Sequence, residues 1–546
     1  MPTVSKDYKV LAAEKISKQR SKIPEAWLIP SSVIYQNVTN VMDVPVTCGV
    51  LTDVECDITS NYDASALREK ITKGIFSVEQ IIIAFCKRAA IAHQLVNCLT
   101  EIFFDKAIER ARDLDAQRRA NPRDLLPPLF GIPISLKDSF HVKGEDTSLG
   151  LACYVNQPAE ENSSLVSLLL DLGAVLYCKT NVPQSLMTAD SDNNVFGRTL
   201  NPRNIGLTAG GSTGGEGALI ALRGSILGVG TDIGGSIRIP SLCNGLYGYK
   251  PSAGLIPLDG RDIRVPGTAG ILPSAGPMAT SIRDCRHFID TILRAETWKY
   301  DTTIISLPWV NLIQNERLRI GFVENDGVFT PSPPIRRGLK VAIDRIRQSS
   351  DEDIEIIPLQ LPNVKQHYQD LVAYWSLPGT DYLLEQITRT GEPLVPSLAM
   401  IGIGLLSSPA RSLQHFFDLN VRRAAAAKTY RDLFRDNNLD VILMPPAPHT
   451  AVPLDTWSTA SYTGLWNYLD YPAVVIPVDQ VRQEDFADDL SNAEFGAEDA
   501  KVYGLYTGPD VYKDAPIGVQ VVGYRHKDEA LVKCATIIDR AINMPD

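Results

Sequence analysis

Apolar residues recur at helical spacing through residues 64–119, most clearly in VEQIIIAFCKRAAIAHQL. Ser77 followed by Gln80 is a capping-box signal for a helix beginning there, so the pattern predicts helices in this part of the chain. It changes at LFGIPISLKD, residues 129–138, which is apolar, contains β-branched residues and has Gly and Pro near its start. This segment predicts a buried strand whose end presents Lys137 and Asp138.

Helical and strand patterns alternate from that point onward. SSLVSLLLDLG and then AVLYCKT predict a helix and a strand, and EGALIALRG and then ILGVGTDIGG predict a second such pair. Further strands are predicted at LRIGFVE, DIEIIPLQL, DVILMPP, PAVVIPV and IGVQVVG, with helices at about 334–348, 364–388 and 410–436. This order is typical of crossover units on a largely parallel sheet. The acidic residues 479–501 predict a surface insertion.

Composition narrows the class of protein. The 546 residues suggest two or three domains or one very large sheet, and 44% hydrophobic with 21% charged residues is typical of a soluble globular protein. A net charge of -11 argues against binding to nucleic acid or anionic membranes. No apolar run approaches the roughly 20 residues that cross a bilayer, and the N-terminus lacks the apolar core of a secretory signal. We therefore expect a cytoplasmic protein without an integral membrane segment.

The nine cysteines are scattered and form no CxxC pair. This spacing disfavours both a disulfide framework and a zinc site. We expect free thiols and no metal centre.

Two serines lie in similar glycine-rich turns within residues 208–240: GGSTGG surrounds Ser212, and IGGSIR surrounds Ser236. A phosphate-binding loop is disfavoured, because GTDIGGS has Ser236 where that loop needs its lysine. GGSTG fits the GxSxG nucleophile elbow, but the preceding NPRNIGLTA is polar and turn-like instead of a buried strand. Each turn taken alone is also compatible with a purely structural role.

The chemistry of the second turn favours catalysis. IGGS supplies successive backbone amides for a developing oxyanion together with a serine hydroxyl. A serine needs a base to become a nucleophile, and neither turn contains a histidine. Lys137 is a candidate base, since burial lowers the pKa of a lysine. Considered in isolation, Lys137 fits a snorkelling or salt-bridged lysine as well.

Three segments, GIPISLKD, GGSTGGEGALIALRG and GVGTDIGGSIRIPSLCNGLYGYKPSAG, together resemble the amidase signature family. AFCKRAAIAHQL, ETWKYDTTIISLPW and APIGVQVVGYRHKDEAL are similar to fungal acetamidases, so the resemblance spans nearly the whole chain. The resemblance implies a Ser-Ser-Lys triad of Ser236, Ser212 and Lys137, an acyl-enzyme intermediate and no cofactor. In the family the bridging serine follows a non-proline cis peptide bond, which is the position of Ser212.

The resemblance also implies roles for neighbouring residues. The oxyanion hole would be formed by the backbone amides of Ile233, Gly234, Gly235 and Ser236. By similarity to fatty acid amide hydrolases, Leu186, Thr188 and Thr231 would contact the substrate. Gly210, Gly211 and an Asp232–Arg238 ion pair would support the site structurally. One departure is Thr213, where many members have a second serine.

For the fold, the resemblance implies the α/β class, as a single large α/β/α sandwich with a central mixed β-sheet. Residues 1–63 would form an N-terminal wrapping segment and 64–546 the amidase signature domain. That domain would comprise a helical part at 64–119, a catalytic core at 129–260 and the acidic surface insertion at about 479–501. Family habit also points to a homodimer.

The implied activity is hydrolysis of small aliphatic or aryl carboxylic amides, acetamide-like, to a carboxylate and ammonia or an amine. Two alternatives stay open at this point. The same machinery could act on esters, carbamates, anilides or lactams, or transfer the acyl group. The chain could also be a non-catalytic subunit of a transamidating complex.

Overall fold

A computed structural model describes residues 7–33, 38–260, 267, 269–307, 317–349, 353–401 and 409–543. The strands of its central sheet are β1 (Leu99–Ile102), β2 (Pro133–Lys137), β3 (Val175–Thr180), β4 (Leu227–Asp232), β5 (Tyr247–Lys250), β6 (Ser274–Ala279), β7 (Leu318–Phe322), β8 (Ile354–Pro358), β9 (Val441–Met444), β10 (Ala473–Gln480) and β11 (Pro516–Gly523).

The helices precede, connect and cover these strands. They are α1 (Tyr8–Ser21), α2 (Val44–Thr47), α3 (Asp53–Ser60), α4 (Ala64–Thr72), α5 (Val78–Val96), α6 (Phe104–Ala120), α7 (Ser164–Asp171), α8 (Gly214–Ala221), α9 (Arg238–Asn244), α10 (Ile282–Arg294), α11 (Pro333–Gln348), α12 (Val364–Trp375), α13 (Asp381–Thr388), α14 (Pro396–Ile401), α15 (Leu413–Asp436), α16 (Ser461–Tyr468), α17 (Ala497–Tyr503) and α18 (Asp528–Asn543). None of the described helices is long and apolar enough to cross a membrane.

The strands form one sheet in the order β1-β3-β2-β4-β6-β5-β10-β11-β9-β7-β8. Parallel pairing joins β3 to β2 and β2 to β4 at one side, and β9 to β7 and β7 to β8 at the other. The pairs between these groups, and the pair of β1 with β3, are antiparallel. The sheet is therefore mixed, which corrects the largely parallel sheet that the strand pattern alone predicts.

Both faces of the central strands are covered. Every residue of β2, β3, β4, β6 and β11 is buried, whereas a sheet with one face in water would alternate buried and exposed positions. The helices pack on these strands and form the outer layers, and the main apolar core lies between helices and sheet. This arrangement confirms the predicted α/β/α sandwich with a mixed sheet.

Most predicted elements have their counterparts. The capping box at Ser77 and Gln80 begins α5 as predicted. The segment 64–119 is not purely helical, however, because it contains the edge strand β1. The strands β5 and β6 were not predicted either. The predicted helix at 364–388 is two helices, α12 and α13.

The N-terminal helix α1 packs beside the edge strand β1. The Gln19 side-chain amide donates hydrogen bonds to the carbonyl groups of Leu99 and Thr100, at 2.8 and 2.9 Å. Lys15, also buried, forms ion pairs with Glu101 and with Asp146, the latter at 2.5 Å. These contacts cover a sheet edge that would otherwise present unpaired backbone groups. Residues 1–6 and 34–37 of the N-terminal segment lie outside the described residues.

The acidic segment 479–501 is largely exposed and ends in α17. Arg337 of α11 pairs with Asp485 at 2.6 Å, and Arg336 pairs with Asp488. The segment is thus fastened to the outer helix layer by ion pairs.

All nine cysteines of the chain are free thiols.

Candidate active site

Lys137 is the last residue of β2, in the interior of the sheet, and its side chain is fully buried. Its Nζ atom lies 2.6 Å from the Ser212 Oγ atom, to which it donates a hydrogen bond. It also donates to the Thr231 hydroxyl at 2.9 Å and lies 3.4 Å from the Thr231 carbonyl oxygen. Because β2 and β4 are parallel neighbours, the ends of both strands meet at this edge of the sheet.

Ser212 lies in the turn that leads into α8, and the peptide bond between Gly211 and Ser212 is cis. The backbone here is tightly enclosed. Gly210 has a φ of +77°, and a Cβ atom added at Gly211 would lie 2.6 Å from the Thr188 carbonyl oxygen. Ser212 itself is 2% exposed. The two glycines therefore permit a close approach of the segments that flank Ser212.

The Ser191 hydroxyl bridges the two sides of this turn. It donates to the Gly210 carbonyl oxygen at 2.9 Å and accepts from the Gly214 amide at 3.0 Å. Both bonds span Ser212, so Ser191 fixes the backbone on either side of it. No motif in the sequence distinguishes Ser191 from other serines, and sequence reasoning missed it.

Ser236 lies in the turn between β4 and α9 and is partly exposed. The Asp232 carboxylate at the end of β4 accepts hydrogen bonds from the amides of Gly235 at 2.8 Å and Ile237 at 3.1 Å. The amides of Ile233, Gly234 and Ser236 donate to no acceptor within the described part of the chain. These three amides remain available to a bound group, whereas the Gly235 amide is already engaged.

The Asp232–Arg238 ion pair supports this turn. Arg238 donates to the Asp232 carboxylate from Nε at 3.1 Å and from Nη2 at 3.0 Å, and both side chains are fully buried. Asn467 adds a further hydrogen bond to Asp232 at 2.9 Å. Burial alone would raise the pKa of Asp232, but the charge and hydrogen bonds of Arg238 hold it well below its usual range. Asp232 is therefore ionised, and it orders the turn that carries Ser236.

A cavity opens beside Ser236. Six of the residues predicted to contact the substrate or the oxyanion line this cavity: Leu186, Thr188, Ile233, Gly234, Gly235 and Ser236. Gly211 also contributes to its wall. Thr231 is not part of this lining and instead contacts Lys137. The remaining wall is largely apolar and includes Met187, Ile239, Trp375 and Trp457. The arrangement presents a hydroxyl and backbone amides to a small, mostly apolar space.

A family model described as Amidase matches residues 80–532 of this chain. The chain belongs to the Amidase family. It is accordingly a hydrolase that acts on amide C–N bonds.

This Amidase family member is similar over its whole length to several known proteins. An "Amidase" of Gibberella moniliformis is 36% identical over 544 residues, covering 97% of this chain and 98% of the relative. An "Acetamidase" of Aspergillus oryzae is 35% identical, covering 99% and 100%. Among solved structures, a "Fatty acid amide hydrolase" has a TM-score of 0.91 at 28% identity, covering 100% of this chain and 98% of the other.

The cavity wall of this Amidase family member was only partly predictable. Trp375 ends α12 and Trp457 lies in the loop before α16, both far along the chain from Ser236. Trp375 packs closely against the turn that carries Ser236: a Cβ atom added at Gly234 would lie 2.7 Å from the Trp375 ring. No local pattern marks either tryptophan as a site residue; only the folded chain brings them together.

Proposed function

We propose that this chain hydrolyses small aliphatic or aryl carboxylic amides through a Ser-Ser-Lys triad, with Ser236 as nucleophile. The observation that carries the proposal is the 2.6 Å contact between Lys137 Nζ and Ser212 Oγ in a fully buried position behind the Ser236 cavity. The similarity to fungal acetamidases supports the choice of substrate class.

In the proposed reaction, neutral Lys137 takes the proton of the Ser212 hydroxyl while Ser212 takes that of Ser236. The Ser236 oxygen attacks the amide carbon. The oxyanion then accepts hydrogen bonds from the free amides of Ile233, Gly234 and Ser236, each worth about 3 to 4 kcal/mol in other hydrolases. The leaving nitrogen receives a proton back through the same relay and departs as ammonia or an amine. Water resolves the acyl-enzyme by the reverse path.

The cavity wall supports a small apolar acyl or aryl group. Trp375 and Trp457 offer flat apolar surfaces, and Trp375 lies against Gly234 in the turn that carries Ser236. Outside the turn, the polar residues of the lining are Thr188, Ser458 and Thr459, and the rest of the wall is apolar. We expect a substrate to be oriented chiefly by its carbonyl group, with its substituent in contact with the aromatic side chains.

Replacing the two serines separately tests this mechanism. Ser236→Ala should lower kcat by about 10⁶-fold, as loss of the nucleophile does in other serine hydrolases. Ser212→Ala should lower it by roughly 10² to 10⁴, the usual share of a proton-transfer group. Ser491→Ala, on the exposed acidic segment, is the matched control and should leave it unchanged. Ammonia release from acetamide and arylamides gives the rate, and undiminished hydrolysis by Ser236→Ala would refute the proposal.

Two further measurements separate the alternatives. A panel of amides, esters, carbamates, anilides and lactams, assayed for both hydrolysis and acyl transfer, ranks the reactions by kcat/KM. Labelling of the purified chain by a fluorophosphonate at Ser236 would count against a non-catalytic subunit, which should not react. The homodimer, the cytoplasmic location and the domain limits given above remain predictions, to be tested by light scattering, cell fractionation and limited proteolysis.

A further inference from the structure

Glu216 is a fully buried carboxyl group in the first turn of α8, the helix that follows Ser212. Its Oε2 atom lies 2.5 Å from the Ser135 hydroxyl oxygen, and its Oε1 atom accepts from the Thr180 hydroxyl at 3.1 Å. Ser135 and Lys137 are two residues apart on β2 and so lie on one face of the sheet. Glu216 therefore contacts the same face as the lysine, one step behind it along the strand.

The strand beside Glu216 leaves room for this carboxyl group. A Cβ atom added at Gly228 of β4 would lie 2.1 Å from the Glu216 Oε2 atom, closer than any real contact. A glycine at this position is thus required by the close approach of the carboxyl group. The site is shaped around Glu216 although the proposed relay does not use it.

The short contacts of this cluster can each be a separate hydrogen bond if Glu216 carries a proton. Beyond its contact with Glu216, the Ser135 oxygen lies 2.8 Å from the Ser225 oxygen, which lies 3.1 Å from the Leu227 carbonyl oxygen. These three contacts in series need three hydrogens, and the two serine hydroxyls supply two. The carbonyl oxygen supplies none.

The third hydrogen has one source left. The neighbouring Tyr177 hydroxyl donates to the Gly224 carbonyl oxygen at 2.7 Å and is thereby engaged. A protonated Glu216 completes the series: it donates to Ser135, Ser135 to Ser225, and Ser225 to the Leu227 carbonyl group.

We propose that Glu216 is a positioning residue that carries a proton in the working enzyme, joins α8 to β2 through Ser135, and keeps a negative charge away from Lys137. This inference rests on the proposed role of Lys137 as base. An ionised carboxyl group behind the lysine would stabilise its ammonium form, which cannot accept a proton from Ser212. The neutral acid keeps the hydrogen bonds without that penalty.

The expected pH dependence follows from the surroundings. Burial raises the pKa of Glu216 to about 8, although hydrogen bonds from Ser135 and Thr180 act in the opposite direction, as a positive charge on Lys137 would. The titratable groups that face it are Lys137 of β2, Tyr177 and Cys178 of β3, and Cys98 just before β1. Burial raises the pKa of the tyrosine and both thiols, so these stay neutral near pH 8. Activity should therefore fall as the pH rises through about 8 and Glu216 ionises.

Two substitutions should move this alkaline fall in opposite directions. Glu216→Gln keeps a donor to Ser135 and an acceptor for Thr180 but cannot ionise, so kcat/KM near pH 7 should stay within about threefold of wild type and the fall near pH 8 should disappear. Ser225→Ala frees the Ser135 hydrogen to bind the carboxylate, so the fall should move to lower pH by about one unit. A purely structural role would change the rate without these opposite shifts.

Asp284→Asn is the matched control, since Asp284 is a buried carboxyl group in α10 that accepts from the amides of Ala64 and Ser65. It should leave the alkaline fall where it is in the wild type. An unchanged fall in Glu216→Gln, or a shift to higher pH in Ser225→Ala, would overturn the coupling to Lys137.

Infrared difference spectra test the protonation without using activity. Wild type minus Glu216→Gln at pH 7 should contain the carbonyl stretch of a protonated carboxylic acid, which should be absent above pH 9 or so. Absence of this band at pH 7 would overturn the inference even if Ser236→Ala is inactive. A persistent band together with an active Ser236→Ala would instead refute only the proposed function. Should Glu216→Gln fail to fold, Ser135→Ala must shift the band, because it removes the acceptor of the acid proton.

Discussion

Replacing Arg238 by Met should destabilise the protein by about 3 to 5 kcal/mol, because it leaves the Asp232 carboxylate buried without its counter-charge. Both side chains are fully buried, so water cannot replace the lost partner. Methionine has an unbranched apolar side chain that replaces the aliphatic part of the arginine, and it removes the charge and every side-chain donor. The variant therefore measures the loss of the ion pair together with the other hydrogen bonds of the guanidinium group.

The structure places the loss towards the upper end of that range. Arg238 donates twice to Asp232 and also donates to the Thr463 carbonyl oxygen, to Asn467 Oδ1 and to Gln520 Oε1. All of these acceptors lose a donor in the variant. Asp232 would retain the hydrogen bonds from Asn467 and the backbone amides of the turn, and the weaker influence of the Lys250 charge.

The loss should depend on pH with a definite sign. The pKa of Asp232 is held well below its usual range, so its ionisation stabilises the fold above the unfolded pKa of about 3.9, and that stabilisation is lost as the pH falls through the folded value. Without Arg238, burial raises the folded pKa above the unfolded one. Ionisation then destabilises the variant. The difference in unfolding free energy between wild type and variant should thus be larger at pH 7 than at pH 5.

Urea unfolding followed by tryptophan fluorescence at both pH values measures these differences. Arg336→Met is the control, because Arg336 pairs with Asp488 at the surface and its loss should cost less than about 1 kcal/mol. The double variant Asp232→Asn with Arg238→Met should be more stable than Arg238→Met alone, since no unpaired charge remains. The reasoning fails if Arg238→Met costs no more than the control, or if the double variant gains nothing.

Three further outcomes are expected. Lys15→Met should lower the free energy of unfolding by about 3 to 5 kcal/mol, because it removes the cation that pairs with the buried carboxylates of Glu101 and Asp146. Thermal unfolding measures the loss, with exposed Lys9→Met as the control, and equal melting temperatures of the two variants would contradict the prediction. Thr213→Ser should retain kcat/KM within about threefold, since it keeps the hydroxyl that lies 3.5 Å from the Thr231 carbonyl oxygen. Loss of the buried methyl group should lower the free energy of unfolding by about 1 kcal/mol. A large loss of rate would contradict this and show that the methyl group sets the geometry of Ser212. Dialysis against EDTA should leave amide hydrolysis unchanged, because the proposed relay uses only serine and lysine side chains; activity lost and then restored by a divalent metal would contradict this.

Sequence pattern predicted those strands that are apolar along their whole length. PISLK, VLYCKT and LGVGTD lie in the interior of the sheet with both faces covered, and such strands need apolar or small residues throughout. YGYK and SAGPMA were missed because glycine, proline and serine suggest turns when considered locally. They are strands because β4 and β10 flank them and satisfy their backbone groups. That information is tertiary and absent from any short window.

The candidate site divides in the same way. Lys137, Ser212 and Ser236 stand in motifs that limit their neighbours to glycine and small residues, so the sequence could single them out. Ser191 and Trp375 could not be found, since their role depends on segments that approach only in the folded chain. The engaged amide of Gly235 was equally hidden. Which amides of a glycine turn stay free depends on where the Asp232 carboxylate points.

The existence of two serine turns has a topological reason. The chain passes from the Ser212 turn into α8, which carries it back along the sheet, and then into β4, which returns it to the edge where it started. One helix and one strand therefore separate two turns that lie at the same edge, beside the end of β2 with Lys137. Each turn begins or ends a rigid element, so neither hydroxyl can move far without shifting α8 or β4. Because Glu216 ties α8 to β2 and Asp232 ties the second turn to α9, the relative position of the two hydroxyls is set by buried polar contacts instead of by the flexible glycines around them.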